Sequence, residues 1–187
     1  ACDLLGDLDD AANVSRVDVQ AGIKVAVPRN RHDQEAGVVA SVLGELGIEL
    51  PKAARALGAY VPAVRTGDLV YTAGQLPVAE GNLIRSGKVG GEVSPEEGKR
   101  LARICALNAL AAVDALVGVD AITRVVKVVG YVASAPGFTG QPGVLNGASE
   151  LLADVFGEAG AHARSAVGVA ELPLDAPVEV EVIVEVQ

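Results

Sequence analysis

The sequence predicts a two-layer α+β domain, a mixed sheet with two amphipathic helices on one face. Three observations predict it. Residues 94–116 and 143–156 carry apolar side chains at helical spacing. β-branched runs lie before, between and after them. The last run, 178–186, sets Val at every second position without a break. The chain has 187 residues, half of them hydrophobic, enough for one substantial core.

The first 40 residues stand apart. They are Asp-rich, hold Pro28 within PRNRH and keep no sustained period, with only 21–27 strand-like. Residues 1–50 contain 4 basic and 9 acidic side chains against 11 and 15 in 51–187, so more than half of the net charge of −9 sits at the front. Residues 1–40 are therefore expected to be a poorly ordered or non-native extension ahead of a single domain over 41–187. The chain contains no Met, which fits a trimmed or non-natural beginning, and a start at Val38 or Val39 is compatible with the pattern.

The elements follow in order. Residues 41–46 fit a short helix. Residues 60–65 and 69–75 read as strands joined by Thr66-Gly67-Asp68, a hairpin signal, and 82–87 as a third short strand. Ser94-Pro95-Glu96-Glu97 starts a helix, with Ser94 as cap, Pro95 in the first position and Glu97 completing a capping box. Leu101, Ile104, Cys105, Asn108, Ala111, Ala112 and Ala115 share one face of that helix, and Gly118 stops it. Residues 122–135 (ITRVVKVVGYVASA) predict a central strand ended by Pro136-Gly137. A second helix is expected over 143–156, then strands over 165–169 and 178–186, these two pairing as a hairpin. On the last strand the even-numbered valines face one way and Glu179, Glu181, Ile183 and Glu185 the other. Two helices cover one face of such a sheet, so the other is solvated or buried against another chain.

Composition excludes several functions. A net charge of −9 and a pI near 4.7 repel phosphate backbones. Five aromatic residues and no Trp leave few stacking platforms, so no nucleic-acid partner is expected. No uncharged apolar run nears the roughly 18–20 residues of a membrane span, so no membrane partner is expected either. Two cysteines make neither a disulfide scaffold nor a zinc site, and a reduced, cytoplasmic protein is the expectation. His32 and His162 lack the spacing of metal ligands and read as surface or loop-end residues, so no metal is expected. Cys105, on the apolar helix face, reads as a buried structural thiol. There is no nucleophile elbow, P-loop or dinucleotide fingerprint.

Three positions retain chemical interest. Arg164 opens a strand, ARSAVGVAELP, where a guanidinium can fork onto a carboxylate; by position alone a surface ion pair is the favoured reading. Glu179 follows 15 residues later, on the strand expected to pair with it. The hairpin would bring the two within reach of each other, although Glu179, Glu181 and Glu185 by themselves read as a solvated strand face. Gly74, before Gln75 at a strand end, leaves room for a ligand to approach the backbone.

Gly58-Ala59-Tyr60, TAGQLP at 72–77, helical residues 109–113, Asn146 within VLN and ARSAVGVAELPLDAPVEVEV at 163–182 together resemble the RidA/YjgF reactive-intermediate deaminase family, formerly endoribonuclease L-PSP, over about residues 48–187. Longer loops at 81–92 and 135–142 resemble a longer bacterial subgroup. The resemblance implies a chorismate-mutase-like, ferredoxin-type fold and a homotrimer with pockets between adjacent subunits. It also implies metal-free, cofactor-free hydrolysis of 2-aminoacrylate or 2-imino acids to 2-keto acids and ammonia. Position by position, Arg164 matches the arginine that forks onto the substrate carboxylate, and Glu179 the glutamate that orients or activates water. Tyr60 matches the tyrosine that closes the pocket, Gly74 the glycine whose backbone approaches the ligand, and Asn146 the asparagine at the rim. A reactive substrate needs little more than positioning and one polarised water. The chain departs from the family pattern at Ala73 (usually Ser), His162 (commonly Pro), Ala166 (often Cys) and GAY for GPY. Ala73 removes a hydroxyl from the pocket edge and bears on substrate range; His162 stands where it can tune Arg164. The alternative function is a non-catalytic trimer that binds small carboxylate metabolites. The ribonuclease activity of the older family name is disfavoured by the charge, the sparse aromatics and the lack of a His pair.

Overall fold

A computed structural model describes residues 14–18, 24–28, 37–54 and 58–187. The chain forms two compact units, Ala1–Glu35 and Ala36–Gln187. In the first, β1 (Val14–Asp18) pairs antiparallel with β2 (Lys24–Pro28). The strand-like stretch at 21–27 is thus represented by β2, and the expected poorly ordered or non-native extension over 1–40 otherwise lies largely outside the described residues. The second unit begins a few residues before the expected 41, because α1 (Val38–Glu45) starts directly after Gly37.

β3 (Ala63–Thr66) and β4 (Leu69–Thr72) form the expected hairpin, turning at Gly67. The first strand is shorter than read: it begins at Ala63, and residues 60–62 lie outside it. In place of one strand at 82–87 there is a miniature hairpin, β5 (Val78–Ala79) and β6 (Asn82–Leu83). Its central residues, Glu80 and Gly81, both have positive φ, the two-residue turn that matches strand twist.

α2 (Pro95–Val117) starts as expected, with Ser94 Oγ accepting from Glu97 N at 3.1 Å. α3 (Gln141–Phe156) starts two residues early. Pro142 does not delay it, since a first-turn residue has no intrahelical use for its N–H. Ala115 is exposed and Ile104 only half-buried, while Ala102, Ala106 and Ala109 are fully buried. α2 packs against both α3 and the strand Val178–Val186, while α3 itself packs on the strands Ile122–Ala133 and Ala163–Val169. Where α2 crosses α3, a methyl on Gly147 would overlap the Lys99 carbonyl.

The main sheet has the order β3-β4-β9-β7-β8, with β7 (Ile122–Ala133), β8 (Ala163–Val169) and β9 (Val178–Val186). β8 runs parallel to β7; every other neighbouring pair is antiparallel. The expected hairpin between the last two strands does not form: β7 lies between them. α3 supplies the crossover a parallel β7–β8 pair requires. The chain then passes the end of β7, where Ser134 N donates to Val169 O and Ala133 N to Pro177 O. Val178, Val180, Val182, Val184 and Val186 all face the helices and are at most 2% exposed. The opposite face is open, with Val64, Tyr71 and Val167 among its exposed apolar residues.

Candidate active site

The first group of side chains forms where β4 loses its register. Tyr71 pairs with Ile183 and Gln75 with Val180, so β4 and its continuation advance four residues while β9 advances three. The extra residue makes a bulge, a device that re-aims side chains beside functional sites. Thr72 Oγ1 takes the Val182 N–H at 3.0 Å, and the ladder resumes with Gln75 N to Val180 O at 2.9 Å and Val180 N to Gln75 O at 3.0 Å. Gly74 lies inside the bulge. Its missing side chain is filled by Glu179, whose carboxylate occupies the position a Cβ would take. The glycine therefore admits this glutamate first of all. Asn108 of α2 secures the chain just beyond, its Nδ2 donating to Leu76 O at 2.9 Å and Val78 O at 3.0 Å. This residue was read only as part of an apolar face; a polar side chain among core positions was the signal for its role.

Glu179 projects onto the open face with Glu181 and Tyr131, its partner across β7. Burial pushes the Glu179 carboxyl above the ordinary carboxylate range, and the nearby Glu181 pushes it the same way. Burial also raises Glu181. Tyr131 is raised by Glu181 first, then by burial and Glu179. A half-buried carboxyl with an elevated proton affinity is suited to accept and return a proton. Tyr60 is about half exposed. Pro62, two residues on, accepts from Ala73 N at 2.8 Å, so Tyr60 belongs to the same end of the sheet as Gly74.

The second group is built on α3 and the edge strand β8. Arg164 Nη1 donates to Asn146 Oδ1 at 2.8 Å and to Ser149 Oγ at 3.1 Å. Ser149 Oγ lies 2.9 Å from His162 Nε2, and His162 Nδ1 lies 2.6 Å from Gly160 O. Asn146 and Ser149 are three residues apart, one helical step along the same face. That spacing was legible, but Ser149 was not singled out.

The two groups do not meet within one chain, which corrects the expectation that Arg164 and Glu179 converge across a hairpin. Arg164 is level with Val128 and, through it, with Val182. Two strand spacings and three residues then separate it from Glu179, roughly 14 Å between Cα atoms. Their faces also differ. Arg164 shares the helix side with Val128, whereas Glu179 alternates with the buried valines and points away. Cys105 is fully buried, with Sγ 3.6 Å from Val178 O, and burial holds its thiol well above the usual range. Ala166, where the family often has Cys, packs against the core. Among the described residues no three His, Cys, Asp or Glu side chains are grouped to hold a metal, and no helix is long and apolar enough to cross a membrane.

A mixed sheet with helices on one face and this strand order is the chorismate-mutase-like fold. The chain belongs to the endoribonuclease L-PSP family, the RidA/YjgF family, whose model matches residues 51–186. Over 152 residues it is 44% identical to Protein TCP17 of Trypanosoma cruzi, covering 80% of this chain and 95% of that protein. The crystal structure of Atu1372 from Agrobacterium tumefaciens, of unknown function, is 45% identical with a TM-score of 0.74, covering 81% of this chain and 94% of that one. A candidate endoribonuclease from Shewanella oneidensis is 33% identical with a TM-score of 0.77, covering 80% and 99%.

Proposed function

We propose that this protein is a cofactor-free deaminase that hydrolyses 2-imino acids, and the 2-aminoacrylate that tautomerises to one, to 2-keto acids and ammonia. The observation that carries this reading is the division of the chemistry into two prepared halves. Arg164, tied to Asn146 and Ser149, is an anchored cation. Glu179, lodged against Gly74 with a raised proton affinity, is a base. Each half lacks the other within one chain. The open sheet face, apolar at Val64, Tyr71 and Val167, suits a second copy of the chain. In a homotrimer each pocket would take Arg164 and Asn146 from one subunit and Gly74, Glu179 and Tyr60 from its neighbour.

In such a pocket the guanidinium forks onto the substrate carboxylate and fixes the imine carbon. Glu179 takes a proton from a water as its oxygen bonds to the carbon of the protonated imine and the C=N π pair moves to nitrogen, giving a neutral carbinolamine. Glu179 returns that proton to nitrogen, the C–N bond breaks with its electrons going to nitrogen, and ammonia leaves as the carbonyl forms and the hydroxyl proton passes back to the Glu179 carboxylate. An enamine first takes a proton at its terminal carbon. A cytoplasmic, reducing setting suits the free Cys105.

Ammonia release from imino acids generated in situ tests this. Wild type should accelerate it, and Arg164→Ala and Glu179→Gln should each lose most of the acceleration. Mixed trimers refolded from those two inactive variants should regain part of it, since some pockets then receive both wild-type halves. No acceleration in the wild type, with carboxylates still bound, would establish the non-catalytic carboxylate-binding trimer instead. RNA cleavage lost in Glu179→Gln would return the reading to the nuclease of the family's older name.

A further inference from the structure

We propose that His162, acting through Ser149, is a positioning residue that holds Arg164 as a one-edged receptor for a carboxylate. This rests on the reading of Arg164 as the group that takes the substrate carboxylate. The direction of each hydrogen bond carries the argument. Gly160 O can only accept, so His162 Nδ1 carries the proton. In its neutral form such a ring offers a lone pair at Nε2, 2.9 Å from Ser149 Oγ, to which the hydroxyl donates its single proton. With that proton committed, Ser149 Oγ presents its lone pairs to Arg164 Nη1. The other Nη1 proton goes to Asn146 Oδ1. Both protons of one terminal nitrogen are thereby used, and because the guanidinium is planar, fixing Nη1 at two points fixes the plane. Nε and Nη2 have no partner among the described residues. They form the edge that matches a carboxylate with two parallel hydrogen bonds.

Without His162 the Ser149 hydroxyl is free to rotate and to donate elsewhere, and the clamp loses its polarity. A proline at 162, which the family commonly carries, has no side-chain nitrogen to play this part. The histidine therefore ties carboxylate affinity in this chain to the pair 149/162. It should act on the carboxylate and leave the reacting end of the substrate unaffected.

Calorimetric titration of the full chain with pyruvate, the simplest 2-keto acid, and with neutral pyruvamide tests the proposal. Ser149→Ala and His162→Leu should each weaken pyruvate binding roughly ten-fold, the scale of one charge-assisted hydrogen bond. The double variant should be no weaker than Ser149→Ala, because the histidine works through the serine. Pyruvamide binding should not change. Ser149→Thr and His162→Gln, which keep the hydroxyl and an acceptor, should recover most of the affinity and control for folding. With an imino acid, KM should rise by a similar factor in His162→Leu while kcat stays within about two-fold. Wild-type pyruvate affinity in His162→Leu, losses that multiply in the double variant, or equal losses for pyruvamide would overturn the proposal. So would wild-type pyruvate binding that does not depend on Arg164. His162-dependent pyruvate binding without any ammonia release would overturn the deaminase reading alone. Arg164-dependent deamination indifferent to His162 would overturn this proposal alone.

Discussion

Gly74 shows how much one missing side chain decides. A methyl there collides with the far end of the Glu179 side chain rather than with backbone. The glutamate can swing aside, so Gly74→Ala should cost little stability, about 1 kcal/mol or less. It should nevertheless lower ammonia release by roughly 100-fold, the scale of a displaced general base. Thermal unfolding beside the activity assay checks both, and a variant of full activity would refute this placement of Glu179. Glu181 makes a second residue-level prediction. Burial raises its carboxyl in the folded chain, so the folded state binds that proton more tightly than the unfolded state. Stability should then rise as pH falls through the raised value toward the ordinary carboxylate range, and the ionised form should cost stability at neutral pH. Glu181→Gln should raise the melting temperature at about pH 7 and flatten the gain seen on acidifying to about pH 5. A midpoint that tracks wild type at both pH values would contradict it.

The α2–α3 crossing and the β4 bulge place the two halves. α3 carries Asn146 and Ser149, and its approach to α2 relies on Gly147 against the Lys99 carbonyl. Backbone cannot retreat as a side-chain tip can. Gly147→Ala should therefore destabilise the chain by about 3 kcal/mol, measured as a lower urea midpoint. An unchanged midpoint would mean that the helices move apart without penalty. The strand reading at 122–135 and the cap at Ser94 were legible because β-branching and capping are local. The bulge was not: the alternation of β4 ends at Thr72, but only its pairing with β9 shows an extra residue. The β8–β9 hairpin failed for a related reason. Sequence proximity favours a hairpin, whereas a long strand followed by a helix calls for a parallel crossover, and β7 took the place between them.

At the scale of the whole second unit, its sheet has a helix-covered face and an opposite face that no described helix covers, and the two chemical halves lie on opposite sides of the sheet. Ile183 sits on the open face beside Tyr71 and Lys127. If the pocket forms between copies, Ile183→Lys should shift the sedimentation profile from trimer to monomer. Deamination should be lost with it, although Arg164 and Glu179 remain intact in every chain. An active monomer would refute the shared pocket.

The sequence by itself determined the family, the helices, the alternating strand of valines and glutamates, and the identity of Arg164, Glu179, Tyr60, Gly74 and Asn146 as candidates. These rest on local spacing and on short motifs, which are written along the chain. Only the tertiary structure decided that Glu179 fills the space left at Gly74, that Ser149 and His162 stand behind Arg164, and that Arg164 and Glu179 point to opposite faces. Each of those depends on which strands pair, in what register and with which helix above them. Such contacts are made between residues far apart in the chain, and hydrophobic alternation constrains which face a residue takes without saying what it meets there.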